Sequence, residues 1–217
     1  MGRPLELGAT WVHWYQAHIW SEIMRYGQRL EIEASPAGND AYWITEGKVV
    51  RGTEDDLDDK LTAAIEATHA DSAEYFPNPY DPLWILSDAF DGPQELRERF
   101  IADDYKNAID VVREAGFDQE TIDLIDAFWC AGYIGDPYTG SALMAKQWGA
   151  LSDGRYRVME DVTLKWKLKN GMQSIYNGIA NDLRGEIRLE TPVVKIDHRD
   201  DGVTITTEAG EVIEADA

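Results

Sequence analysis

Cysteine occurs once in the 217-residue chain, as Cys130. A single thiol excludes an intramolecular disulfide and any multi-cysteine metal or iron–sulfur site. Set between Trp129 and Ala131 in a helical pattern, it reads as a buried, inert thiol. Histidine is scarce too, at positions 13, 18, 69 and 198 only. His13 and His18 stand five apart, a poor spacing for two ligands on one helix face, so no metal site is expected. No apolar run approaches the roughly 18 residues of a membrane helix. The opening residues, Met1 to Gly8, lack the apolar core of a signal peptide. A cytoplasmic protein without a membrane segment is therefore expected. Positive charge is the minority sign: 20 Lys and Arg face 41 Asp and Glu, a net charge of −21. That balance argues against nucleic acid and against an anionic membrane surface as partners. Also missing are the G-x-G-x-x-G fingerprint, a Walker-type loop, H-E-x-x-H and G-x-S-x-G.

What is present is enough to build a core, with 44% hydrophobic and 11% aromatic residues and eight tryptophans. The acidic excess is uneven, since residues 51–150 carry 7 basic and 22 acidic side chains, net −15. Such a field attracts a cationic small molecule; a set of solvated helix faces explains it equally. Apolar spacing predicts a helix from about Gln16 to Tyr26, on Ile19, Ile23 and Met24, stopped by Gly27. Leu30-Glu31-Ile32 alternates as a strand does, and residues 42–50 read as a hairpin turning at Glu46-Gly47-Lys48. Thr53 and Asp56 form a capping box for a helix with the stripe Leu57, Leu61, Ala64, Ile65 and Thr68, and with Asp58 at its surface.

Pro77, Pro79 and Pro82 break the chain into a loop around residues 75–84. Helical stripes follow on Leu96 and Phe100, on Tyr105, Ile109 and Val112, on Ile122 to Trp129 after an Asp118 cap, and on Leu143 to Leu151 after Ser141. The last third changes character. A helix on Met172, Ile175, Ile179 and Leu183 precedes short β segments at 187–189, 193–196 and 203–206. Asp200-Asp201-Gly202 reads as a hairpin turn with Gly at positive φ, and an extended piece closes the chain from Val212.

The most informative segment is Glu6-Leu7-Gly8-Ala9-Thr10-Trp11-Val12-His13-Trp14. Small residues beside aromatic rings let a flat ligand approach the backbone closely; a tight packed turn is the alternative. The stretch from Glu6 to Gln16, with the helix after it, resembles the flavin-facing segment of FAD-dependent amine oxidases, nearest the microbial and fungal monoamine oxidase type. Ala9 replaces the family's second Gly. Lys169-Asn170-Gly171-Met172, the helix to Leu183 and the β pair around Val193 form a second match, with Asn170 in place of a Gly. Phe128-Trp129 through Ser141 to Trp148 forms a third.

The resemblance implies an α+β fold: a helical substrate-binding domain with short mixed β segments and part of an FAD-binding domain. It implies a flavin-facing region in residues 1–40, a mostly helical substrate domain in 41–168 and a return to the FAD-binding domain in 169–217. Gly8, Ala9, Thr10, Trp11, His13 and Val193 would meet FAD, with Val193 at the adenine. Phe128, Ala131, Gly132 and Trp148 would line the substrate cavity. The implied reaction is oxidation of a small-molecule amine to an imine and then an aldehyde or ketone, with O₂ reduced to peroxide. No lysine here matches the family's active-site lysine, so no catalytic residue is carried over. The family's dinucleotide-binding unit and C-terminal half have no counterpart in these residues. The chain is therefore expected to be an internal or truncated piece that neither turns over amines nor holds FAD tightly. An inactive relative serving only as an interaction domain is the alternative, and a carbohydrate-active domain is a lesser one. Bare apolar faces favour a homo-oligomer, which the charge of −21 opposes.

Overall fold

The computed structural model describes residues 8–36 and 38–216. Glu6 and Leu7, with which the flavin-facing match begins, lie outside the described residues. The chain divides into two compact units, one ending at Met172 and one beginning at Gln173.

The first unit is mainly helical. Helix α1 spans Ala17–Arg25, a 3₁₀ turn Gln28–Glu31 and strand β1 Ile32–Ala34. Strands β2, Asp40–Thr45, and β3, Lys48–Thr53, form an antiparallel hairpin in which Thr45 pairs with Lys48 across a two-residue turn. Then come α2 (Glu54–Thr68), α3 (Ser72–Tyr75), α4 (Gln94–Asp104) and α5 (Ala108–Glu114). Helices α6 (Gln119–Tyr133), α7 (Ala142–Leu151) and α8 (Tyr156–Thr163) and strand β4 (Trp166–Leu168) complete the unit.

The helix starts follow from their caps. Thr53 Oγ1 accepts the Asp56 amide at 3.1 Å while the Asp56 carboxylate accepts the Thr53 amide at 2.8 Å, so two otherwise orphaned N–H groups are satisfied reciprocally. Asn107 and Asp110 repeat the device on α5, Asp118 caps α6 and Ser141 caps α7. The core is assembled from one stripe of each helix: Leu61 and Ile65 of α2, Ile109 and Val112 of α5, Ile125 and Trp129 of α6, Ala145 of α7 and Met159 of α8, closed by Trp43 of β2. A second cluster of Tyr75, Phe76, Ile85 and Phe100 fills the space under the proline-rich loop. Lys146 is buried, but its Nζ donates to the Ala70 carbonyl at 2.6 Å and lies 3.5 Å from Asp103. Paired in this way, the ammonium fastens α7 to the turn after α2 and to α4.

The second unit holds α9 (Gln173–Asp182) and a three-stranded antiparallel meander of β5 (Val193–Arg199), β6 (Gly202–Thr207) and β7 (Val212–Ala215). Among the described residues every strand pairing is antiparallel.

Several expectations need correction. Leu30 and Glu31 sit in the 3₁₀ turn, and the strand starts only at Ile32. Met24 is exposed, because α1 turns Ile23 inward instead. Tyr105 is exposed at the end of α4, since the Asn107 cap starts a new helix there. Cys130 is exposed, about 100° around α6 from its buried neighbour Trp129. Asp58 is buried at 6% exposure, because it bonds Arg157 and the Tyr156 hydroxyl of α8. Residues 187–189 form no strand. Gly202 is a strand residue rather than a residue of the hairpin turn. Its φ of 158° is positive, as expected, but it opens β6 paired with Arg199, so the turn itself is Asp200-Asp201. A Cβ there would come within 2.7 Å of the Ala215 carbonyl oxygen, so close approach of β7 explains the glycine. Helix α8 and strand β4 were not foreseen.

Candidate functional site

The segment from Gly8 to Gln16 is held from three sides. Trp11 bridges antiparallel to Lys167 of β4, and the Val12 amide donates to the Trp166 carbonyl at 2.7 Å. The other edge of β4 pairs with β1, Ile32 opposite Leu168. The Trp11 indole donates to Ser35 Oγ at 2.9 Å. At the far end the His13 amide donates to Gln16 Oε1 at 2.9 Å and the Gln16 amide to the His13 carbonyl at 3.0 Å. These reciprocal bonds close the turn that launches α1.

His13 is 1% exposed. Its Nδ1 accepts the Tyr15 amide at 3.2 Å, so the neutral ring carries its proton on Nε2. That Nε2 lies 3.9 Å from Asp161 of α8 and has no hydrogen-bond partner among the described residues. Burial holds the imidazole pKa below its ordinary value, against the opposing pull of Asp161. His13 is thus a neutral positioning residue of the turn, which the sequence placed only as a residue near the ring system.

Gly8 and Ala9 are exposed, and a Cβ built on Gly8 would meet nothing within 4 Å. Ala9 has a φ of 52°, in the left-handed region that favours glycine. The family pattern's glycine at this position has a physical reason here: the methyl group costs about 1–2 kcal/mol in that conformation. Ala9→Gly should therefore raise stability by up to about 1 kcal/mol, since glycine's greater freedom in the unfolded chain takes back about 0.4–1 kcal/mol. Thermal melts of the two proteins check this. A lower midpoint would mean that Ala9 is not left-handed in solution.

Two hollows border this segment. The wider, about 580 Å³, is walled by Val12, Trp14, Trp20, Leu30 and Trp166 and includes Arg29, whose charge opposes a cationic ligand. The narrower, about 310 Å³, is lined by Tyr15, Tyr80, Trp148, Leu151, Met159 and Val162, together with Gln16, Ser152 and Thr163. None of these nine carries a charge. Tyr80 is offered by the proline-rich loop, which Gln147 Nε2 holds by donating to the Pro79 carbonyl at 2.9 Å. Helix α8 supplies Met159, Val162 and Thr163. Its outer side is tied to α2 through Asp58, which bonds Arg157 and Tyr156, and through the Tyr156 amide on Glu66 at 3.2 Å.

Of the residues expected to line a substrate cavity, the structure brings Trp148 to this hollow. Phe128 packs edge-on against Trp129 and Tyr156. Ala131 is exposed, and Gly132 lies under the Trp129 ring, where a Cβ would approach Cε3 to 2.7 Å. The wall residues that sequence reasoning missed come from α8 and the proline loop. The Tyr156, Met159, Val162 spacing of three is the signal that would have found α8. In the second unit, Val193 opens β5 with its side chain exposed. Among the described residues no group of three His, Cys, Asp or Glu side chains is placed to hold a metal ion, and no helix is long and apolar enough to cross a membrane.

A family model described as flavin containing amine oxidoreductase matches residues 1–217. A pseudooxynicotine dehydrogenase from Pseudomonas sp is 29% identical over 212 residues, covering 97% of this chain and 40% of the relative. A nicotine dehydrogenase from Pseudomonas putida (strain DSM 28022 / S16) is 26% identical over 219 residues, covering 99% and 42%. The chain thus spans about two fifths of the length of these curated relatives. Among solved structures, putrescine oxidase bound to putrescine shares the fold with a TM-score of 0.67 at 22% identity, over 98% of this chain and 46% of that one. Cyclohexylamine oxidase from Brevibacterium oxydans IH-35A gives 0.66 at 21%, with the same coverage. The α+β architecture is that of part of an FAD amine oxidase fold, and FAD is the cofactor that goes with it. By the match that runs from its first residue to its last, the chain belongs to the flavin-containing amine oxidoreductase family.

Proposed function

We propose that these residues form the flavin-facing segment and amine cavity of an enzyme that oxidises a small-molecule amine to an imine, which water converts to an aldehyde or ketone. The observation that carries the reading is the position of the uncharged 310 Å³ hollow: its wall begins with Tyr15 and Gln16, directly after the segment Gly8–His13. FAD, when bound, supplies the two-electron chemistry, accepting a hydride equivalent from the carbon beside the nitrogen and delivering the electrons to O₂ as peroxide. The chain's own residues do the rest. Exposed Gly8 and Ala9 and half-buried Thr10 offer a surface without bulky side chains, against which a flat ring can lie. Trp11, fixed by Ser35, and neutral His13, fixed by the Tyr15 amide, keep that surface rigid. In the second unit Val193 is our candidate for the adenine contact. The apolar walls of the cavity exclude water and favour the uncharged form of the amine, the form able to give up a hydride.

The test is anaerobic mixing of the FAD-loaded full-length enzyme that contains these residues with a panel of amines. Loss of the flavin's visible absorbance, restored with release of peroxide when air is admitted, is the expected result. Flavin that stays oxidised with every amine would contradict the reading and favour an interaction domain. Bleaching that air does not reverse, but an electron-accepting dye does, would remove O₂ from the proposal.

A further inference from the structure

The turn that ends the flavin-facing segment meets helix α8 at Asp161. We infer that Asp161 is a positioning residue: its carboxylate accepts the Nε2–H of His13 and so fastens the turn after Gly8–Thr10 to α8. The inference rests on the reading of Gly8–His13 as the segment that meets FAD.

The other sides of the imidazole are already held. Trp14 lies against its face with centroids 3.7 Å apart, and Tyr15 meets it edge-on at 5.0 Å. The Tyr15 amide occupies Nδ1, which leaves the single proton of the neutral ring on Nε2. That N–H is buried, and a buried donor without an acceptor is costly. The acceptor in its direction is Asp161 Oδ2, at 3.9 Å. About 1 Å of side-chain movement closes that gap to an ordinary hydrogen bond. Lys165 holds the other carboxylate oxygen, Oδ1, at 2.6 Å, which leaves Oδ2 to the imidazole. Asp161 is also the charge that draws the imidazole pKa upward against burial. Further chain packed here would bury His13 more deeply and increase the need for this acceptor. The bond has a structural reach beyond its two residues. Val162 and Thr163, next to Asp161, line the narrower hollow, and so do Tyr15 and Gln16 on the His13 side. The pair therefore sets the spacing between the flavin-facing turn and the wall that α8 contributes.

The experiment uses the full-length enzyme that contains these residues, carrying 15N-labelled histidine, with His13→Gln to assign the His13 signals. The Nε2–H resonance of His13 should lie downfield and exchange slowly with water. Asp161→Leu, which removes the acceptor, should move it upfield and speed its exchange. Asp161→Asn, which keeps an acceptor and loses the charge, should retain slow exchange while the imidazole's titration midpoint falls. A loss of packing alone would not separate these two variants. Titration of the apoenzyme with FAD should show binding about tenfold weaker in Asp161→Leu, the scale of one charge-assisted hydrogen bond, and largely restored in Asp161→Asn. Adding His13→Gln to Asp161→Leu should weaken it no further than the larger single effect. Circular dichroism confirms that each variant is folded; should Asp161→Leu fail to fold, Asp161→Ala makes the same test. An Nε2–H resonance that none of the Asp161 variants moves overturns the inference, as does FAD binding that Asp161→Leu leaves unchanged. In either case the flavin-facing reading stands if Ala9→Leu abolishes FAD binding, and it falls with the inference if Ala9→Leu binds FAD normally.

Discussion

Trp129→Ala should cost about 3–5 kcal/mol of stability, a large share of the 5–15 kcal/mol that holds a typical domain together. Trp129 is fully buried, at 0% exposure. Its ring meets Phe128 at 5.2 Å, Tyr133 at 5.4 Å, Trp148 at 5.7 Å and His69 at 6.3 Å between centroids. No neighbour is free to collapse into the space it leaves, because these rings come from α6 itself, from α7 and from the end of α2, each pinned by its own cap or ion pair. The loss reaches the site as well, since Trp148 lines the cavity and packs on Trp129. Urea unfolding should show a lower midpoint at unchanged slope. Trp14→Ala is the control: that ring is half-exposed, and its loss should be far smaller. A Trp129→Ala protein within about 1 kcal/mol of the unmodified chain would contradict the packing described for α6.

Acidification should destabilise the chain before its carboxylates titrate. Burial lowers the pKa of both His13 and His69 from the ordinary value of 6.5. For His13 the Asp161 charge opposes the shift; for His69 the Gly154 hydrogen bond and Glu66 oppose it and Lys146 reinforces it. The hydrogen bonds say why protonation is unwelcome. A second proton on His13 would displace the Tyr15 amide from Nδ1. On His69, whose Nδ1–H donates to the Gly154 carbonyl at 3.2 Å, it would go to a buried Nε2 with no acceptor among the described residues. Below pH 6.5 the unfolded chain then binds more protons than the native one, so stability falls with pH. This contribution is complete above pH 6.5 and is lost as the pH drops through the lowered native values. Glu160 and Asp126, whose pKa values burial raises, act in the opposite direction at lower pH. The melting temperature should fall between pH 7 and pH 5, and His13→Gln with His69→Gln should flatten that fall. A midpoint that is constant or rises on acidification would contradict the buried neutral histidines.

The parts of the fold legible in the sequence were those set by local chemistry. The Thr53–Asp56 box, the Asp118 and Ser141 caps and the Gly-containing turn at residues 46–47 each follow from side-chain reach within four residues. What stayed hidden depends on partners far along the chain. Asp58 looks like one more acidic surface residue of α2 until α8 brings Arg157 and Tyr156 to it, about a hundred residues later. Helix α8 was obscured by its own mixture of Arg, Glu and Asp, and β4 is a strand only because β1 and Trp11 flank it. Of the candidate site, the sequence singles out the small residues Gly8 to Thr10 and Trp148. It does not single out Tyr15, Tyr80 and Met159 around the hollow, because a wall gathered from α1's approach, the proline loop and α8 has no contiguous pattern. The left-handed Ala9 lies between these cases: the family resemblance marked the position, and the backbone supplied the reason.

Whether Gly8 to His13 faces the flavin is decided by backbone amide NMR of the chain titrated with FAD, since fast exchange reports even weak binding. The predicted result is a set of saturable shifts at the amides of Gly8, Ala9, Thr10 and Trp11, extending to His13 and abolished in a folded Ala9→Leu variant. Shifts confined to other parts of the chain, or the same shifts in Ala9→Leu, would contradict the claim.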